Sequence, residues 1–217
     1  MASKYARKSG TREQKRRFVI AVEGEETEYA YFNELIDKQI GKNPRLQVEI
    51  LPTIDGASSP VAVLQRLHEK INVGVYCPED SFWIVIDKDK WQGKQLGTIT
   101  RESRKKNYKI AMSYPCFELW LLLHLKDLSK LSAIEIPLLR GKRELKHEIA
   151  KIRKSLPHKE NIGMHLFLNN NRLMIAIENA KKLNTATNAN YILTSHGSSV
   201  YHLVEELLSF IDTEHYL

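Results

Sequence analysis

Three acidic side chains occupy positions from which they could hold a divalent metal ion, and a fourth lies near the same edge as a catalytic candidate. Glu23 directly follows the apolar run Phe18-Val-Ile-Ala-Val22, and Asp87 and Asp89 directly follow a second run, Phe82-Trp-Ile-Val-Ile86. Glu118 falls in the first turns of the helix expected after a further run, Lys109-Ile-Ala-Met-Ser113. Carboxylates brought together repel one another unless they are protonated or neutralised by a cation. Oxygen ligands without Cys or His select Mg²⁺ or Mn²⁺ over Zn²⁺. The Asp-x-Asp spacing suits a shared ligand, because residues i and i+2 of an extended chain face the same way. A metal held by few carboxylates keeps positions open for phosphate oxygens and a water, which is what phosphodiester cleavage requires. Glu23 could then act as ligand or as general acid/base, while Lys88 and Lys90, interleaved with the acids, could contact phosphate or balance charge.

Each residue also has an ordinary reading. An Asp-x-Asp at a strand end is often a turn, and Glu25, Glu26, Glu28 and Glu118 stand where a helix N-terminus welcomes carboxylates. His124 reads as a satisfied core histidine. The metal reading gains from order: a Glu after the first strand and an Asp-x-Asp after the third.

The elements that must position these acids follow an α/β pattern. Continuous apolar runs at 18–22 and 82–86 suit parallel strands covered on both faces, with further strands expected at 46–51 and 109–113. Between them lie a helical stretch carrying Tyr29, Phe32, Ile36 and Ile40, and a helix with Ser59 as N-cap, Pro60 at its first position and Val63, Leu64, Leu67 and Ile71 on one face. Gly97–Asn107 is expected to be a polar-faced helix, and Pro115 to open an apolar helix running to about Leu125. Strand and helix alternate four times, which predicts a four-stranded parallel sheet flanked by helices over residues 18–126. Ligands of such sheets bind where the strands' carboxyl ends emerge. If the first and third strands are neighbours, Glu23, Asp87 and Asp89 converge. Beyond residue 126 only helices are expected, at 140–155, 171–184 and 200–211, forming a helical extension (127–217) packed on the core.

The 217 residues carry 33 Lys and Arg against 26 Asp and Glu, and +6 of the net +7 resides in residues 1–17. That basic arm, expected to be flexible and including Arg16 and Arg17, would attract a polyanion through salt-sensitive phosphate contacts. Lys142, Arg143 and Lys146 in the basic 140–155 helix are further candidates. A hydrophobic share of 42 % excludes a disordered chain. Two cysteines exclude a disulfide scaffold. No apolar stretch reaches the roughly 20 residues that span a bilayer, and no secretory signal is evident. A cytoplasmic location is expected.

Three segments resemble the RloB family: Val22-Glu-Gly-Glu-Glu-Thr-Glu28, Ile86-Asp-Lys-Asp89 and Ser113-Tyr-Pro-Cys-Phe-Glu-Leu-Trp-Leu-Leu-Leu-His124. The closing segment Ser198-Ser-Val-Tyr-His-Leu-Val-Glu205 is also similar. The resemblance implies a Toprim-like core in which Glu23, Asp87 and Asp89 form a Mg²⁺ site. It further implies a phage-defence effector, a DNA or tRNA nuclease kept silent until a partner, an ABC-type ATPase encoded nearby, releases it. This chain lacks G-x-x-x-x-G-K-[ST], so any ATPase would be separate.

Other phosphate chemistries fit less well. A phosphatase of the Asp-x-Asp-x-Thr/Val type is disfavoured by Trp91, and a sugar-nucleotide transferase draws no support from the Glu-Gly element. A restriction-type Glu-x-Lys centre could use Glu144-Leu-Lys146, but that stretch reads as a basic helix. The rival from another class is a non-catalytic regulatory or nucleic-acid-binding subunit.

Overall fold

The structure, a computed structural model, describes residues 15–41, 43–53, 56–88, 91, 94–157, 163–183, 193 and 195–210. Asp89 and Lys90 therefore lie outside the described residues, as does the arm up to residue 14. Strands β1 (Arg16–Val22), β2 (Leu46–Leu51), β3 (Ser81–Asp87) and β4 (Lys109–Tyr114) are joined by α1 (Thr27–Leu35), α2 (Pro60–Val73) and α3 (Lys94–Lys106). Then follow α4 (Phe117–Leu123), α5 (Lys142–Ser155), α6 (Asn170–Leu183), β5 (Gly197–Ser198) and α7 (Val200–Leu208).

The sheet order is β2-β1-β3-β4-β5, parallel throughout except for the antiparallel β4–β5 pair. The expected four-stranded sheet is thus five-stranded, and strands do not end at residue 126. A two-residue strand has no alternation to detect, which is why β5 escapes a reading based on periodicity.

Period-two alternation divides the core into two layers. Phe18, Ile20 and Val22 of β1 and Trp83 and Val85 of β3 face a cluster shared with α1, α4, α5, α6 and α7. Val19, Ala21, Ile84 and Ile86 face the opposite cluster, with α2 and α3. Helix α4, apolar at every position but Glu118, is buried along its whole length. A helix hydrophobic all round has to be central, and α4 packs against β4, α5 and α6.

Local signals explain the helix boundaries and two departures from expectation. Ser59 caps α2 as expected, its Oγ accepting the Ala62 N–H at 3.2 Å, with Pro60 at the first helical position. In α1 the buried face is Glu28, Tyr31, Phe32 and Leu35, while Tyr29, which shares a helical spacing with Phe32, is exposed. β1 begins two residues before the expected Phe18, so Arg16 and Arg17 are strand residues rather than arm. Arg16 donates to Ser81 and Glu206, and the Arg17 guanidinium donates to Val75 O. Both lie at the edge of the sheet opposite Glu23, a correction to their grouping with the arm.

Candidate functional site

The connection leaving β1 runs through α1 over one face of the sheet, and the one leaving β3 runs through α3 over the other. Adjacent strands whose connections diverge in this way leave a crevice at their carboxyl ends. Glu23 and Asp87 flank it. The Glu23 N–H extends the parallel ladder by donating to Val85 O at 3.0 Å. The chain then turns away at Gly24, and the next amide of β3, that of Asp87, donates to Glu23 Oε2 at 2.8 Å. Trp91 Nε1 donates to Glu23 Oε1 at 3.0 Å, so both carboxylate oxygens are oriented. Thr53 Oγ1 donates to the Glu23 carbonyl at 2.6 Å and Arg66 to the Val22 carbonyl at 2.7 Å, pinning the end of β1 from the α2 side.

Two more acids approach the crevice from the α1 and α4 side. Glu28 folds its carboxylate over Gly24, and a Cβ at that glycine would collide with it. Burial pushes the Glu28 carboxyl above the usual carboxylate range, and the nearby Glu118 charge adds to the shift. Glu118 is 2 % exposed, with Lys142 Nζ 3.3 Å and Lys146 Nζ 3.7 Å from its Oε1. Burial alone would lower the Lys142 ammonium, but Glu118, then Glu28 and Asp87, outweigh it and hold it above the ordinary lysine range. A cavity of about 300 Å³ at this edge is lined by Glu23, Gly24, Glu28, Lys142 and Lys146.

The remaining candidates lie elsewhere. Lys88 Nζ donates to Leu193 O at 2.5 Å and stands 4.7 Å from the Tyr114 ring centre, with its pKa lowered by burial. Arg143 points away from the acids and pairs with Glu144 on the exposed side of α5. His124 is fully buried, its Nδ1 2.9 Å from Trp120 O and its Nε2 3.2 Å from the Tyr31 hydroxyl. A carbonyl can only accept, so Nδ1 carries the proton and Nε2 accepts from Tyr31. Desolvation pushes its pKa down to about 3, which makes it a neutral core histidine.

Residue types alone did not point to Trp91, Thr53, Arg66 or Gly24 as supports of the site. The one available signal was Gly24 immediately after a strand-ending Glu, a position where a close approach needs a residue without Cβ.

The donor chemistry suits a hard divalent cation. Carboxylates line this edge, and the adjacent Cys116 thiol is pushed well up by burial and by Asp87 and Glu118, so it stays protonated and is no thiolate ligand. Among the described residues no group of three or more His, Cys, Asp and Glu side chains is arranged to hold a metal, and Asp89 stands outside them. Among the described residues no helix is long and apolar enough to cross a membrane. Comparison with curated proteins returned no match, and neither did comparison with solved structures. The family model described as RloB-like protein matches residues 18–207, which covers the sheet, the crevice and the helices packed on it, and the chain belongs to the RloB-like family.

Proposed function

We propose that this chain is a metal-dependent phosphodiesterase acting on nucleic acid, DNA or tRNA. The observation that carries the reading is the hydrogen bond from Asp87 N–H to Glu23 Oε2 at the crevice between β1 and β3. It joins an acid from each of two adjacent strand ends, where ligands of open parallel sheets bind. Glu23 and Asp87, with Asp89, would hold Mg²⁺ or Mn²⁺. Such an ion stabilises charge developing on a phosphate and lowers the pKa of a bound water.

The chain's own groups have separate roles. Trp91 and the Asp87 amide orient the Glu23 carboxylate, and Gly24 makes room for Glu28. Glu118 anchors Lys142 and Lys146 over the acidic edge, where their ammonium groups can meet the phosphates that flank the reacting one. The basic residues preceding β1 add sequence-independent phosphate attraction. Action in phage defence beside an ABC-type ATPase belongs to the same reading and rests on the family resemblance.

A second reading is favoured by one observation. Lys142 and Lys146 already supply counter-charge to Glu118, as a non-catalytic nucleic-acid-binding subunit would require. Cleavage of DNA and of tRNA with Mg²⁺ or Mn²⁺ separates the two. Activity should appear with metal and vanish in Glu23→Ala, Asp87→Ala and Asp89→Ala without unfolding. Cleavage that persists in folded Asp87→Ala removes these acids from the mechanism.

A further inference from the structure

The concavity at the acidic edge continues past α5. A second cavity, of about 400 Å³, opens between α1, α4, α5 and the 3₁₀ turn at Gly163–Leu166, and Thr27 and Lys146 line both. Its volume falls within the roughly 300–1,000 Å³ of small-molecule sites. Leu121, Ile149, Met164 and Phe167 give it apolar walls, and Arg153 adds a cation.

Glu118 is also part of this lining and is almost fully buried. Its Oε1 is paired with the Lys142 and Lys146 ammoniums at 3.3 and 3.7 Å. A carboxylate has more acceptor positions than two ammoniums fill, and a ligand N–H can take one of them. An aromatic side chain, an apolar slot and a carboxylate acceptor together are what a planar heterocycle with an N–H edge needs. The wall shared with the acidic edge puts a cation, Lys146, between the slot and the place proposed for phosphate.

We infer that this second cavity is a base-binding subsite. Resting on the phosphodiesterase reading, it takes the base of the nucleotide whose phosphate lies at the acidic edge, against Phe167 and with its N–H edge on Glu118. Guanine, with its ring N–H beside an exocyclic amino group, matches a carboxylate best. The base must be unstacked to enter, so the substrate presents a single-stranded or extruded nucleotide at this point.

The test titrates guanosine 5′-monophosphate into the intact chain by calorimetry, with ribose 5-phosphate as the base-free control and EDTA present. The nucleotide should bind roughly 5- to 150-fold more tightly than the control, the span of alanine-substitution effects for one stacked base. Ala150→Trp, at an exposed lining position of α5, fills the cavity without removing any core side chain. It should abolish the nucleotide's advantage and leave ribose 5-phosphate binding unchanged. Equal affinities in the unaltered protein, or an advantage that survives Ala150→Trp in a folded protein, overturn the assignment and leave the groove to a protein segment. Because binding is read without metal, a chain that binds the nucleotide yet never cleaves would refute the phosphodiesterase and keep the subsite.

Discussion

Glu23 Oε2 accepts the backbone N–H of Asp87 at 2.8 Å, so the acid that ends β1 is tied to the strand that carries the next acid. The other oxygen takes the Trp91 indole at 3.0 Å. Groups that orient a metal ligand typically alter affinity about 10- to 100-fold when removed. Trp91→Phe, which deletes only the donor, should therefore raise the Mg²⁺ concentration for half-maximal cleavage about tenfold. An activity titration against Mg²⁺ checks this, and an unchanged midpoint would show that the indole is packing rather than orienting.

Gly24→Ala should displace the Glu28 carboxylate, because the new Cβ would occupy its position. The expected cost is about 1–2 kcal/mol of stability, within the usual span for a substitution that forces a buried group to move. Adding Glu28→Ala should recover most of that loss, since the three atoms nearest the new Cβ all belong to Glu28. Urea denaturation of the single and double variants measures the coupling, and simple additivity would mean the glycine is needed for another reason.

The buried His124 makes stability depend on pH. Its folded pKa of about 3 lies below its ordinary value of 6.5, so the unfolded chain binds the extra proton between those limits. Stability from this group is complete above 6.5 and is lost as the pH falls toward 3, by about 1.4 kcal/mol per pH unit inside that window. His124→Gln should flatten this part of the pH–stability curve, as melting temperatures measured from pH 7 to pH 4 would show.

At the opposite edge of the sheet, Glu206 of α7 accepts four hydrogen bonds. Arg16 at 3.0 Å and Ser81 at 2.6 Å reach Oε1, while Lys109 at 2.7 Å and Trp83 at 3.2 Å reach Oε2. The carboxylate ties α7 to three strands. Glu206→Ala removes an acceptor shared by two cations, a hydroxyl and an indole and should cost about 2–4 kcal/mol. Since the acidic crevice is at the other end of the strands, kcat should stay within a factor of two (about 0.4 kcal/mol). A large fall in kcat with little loss of stability would contradict that separation.

Residue order and periodicity alone determined the alternation of strand and helix, the central place of α4, the cap at Ser59 and the position of Glu23 and Asp87 at strand ends. These follow from local rules: apolar period, capping chemistry and where a run stops. The partnership of Glu23 with Asp87 was conditional on strand order, which local patterning does not contain, because a parallel pair may be separated by any intervening crossover. Only the tertiary structure put β1 beside β3 with their connections on opposite faces. It also decided which acids are buried. Glu28 reads as a solvent-facing first-turn residue until Gly24 is seen beneath it, and Arg16 reads as part of a basic tail until α7 brings Glu206 to meet it. Contacts between residues 64 and 190 positions apart depend on how layers pack, and that packing is settled by the whole core at once.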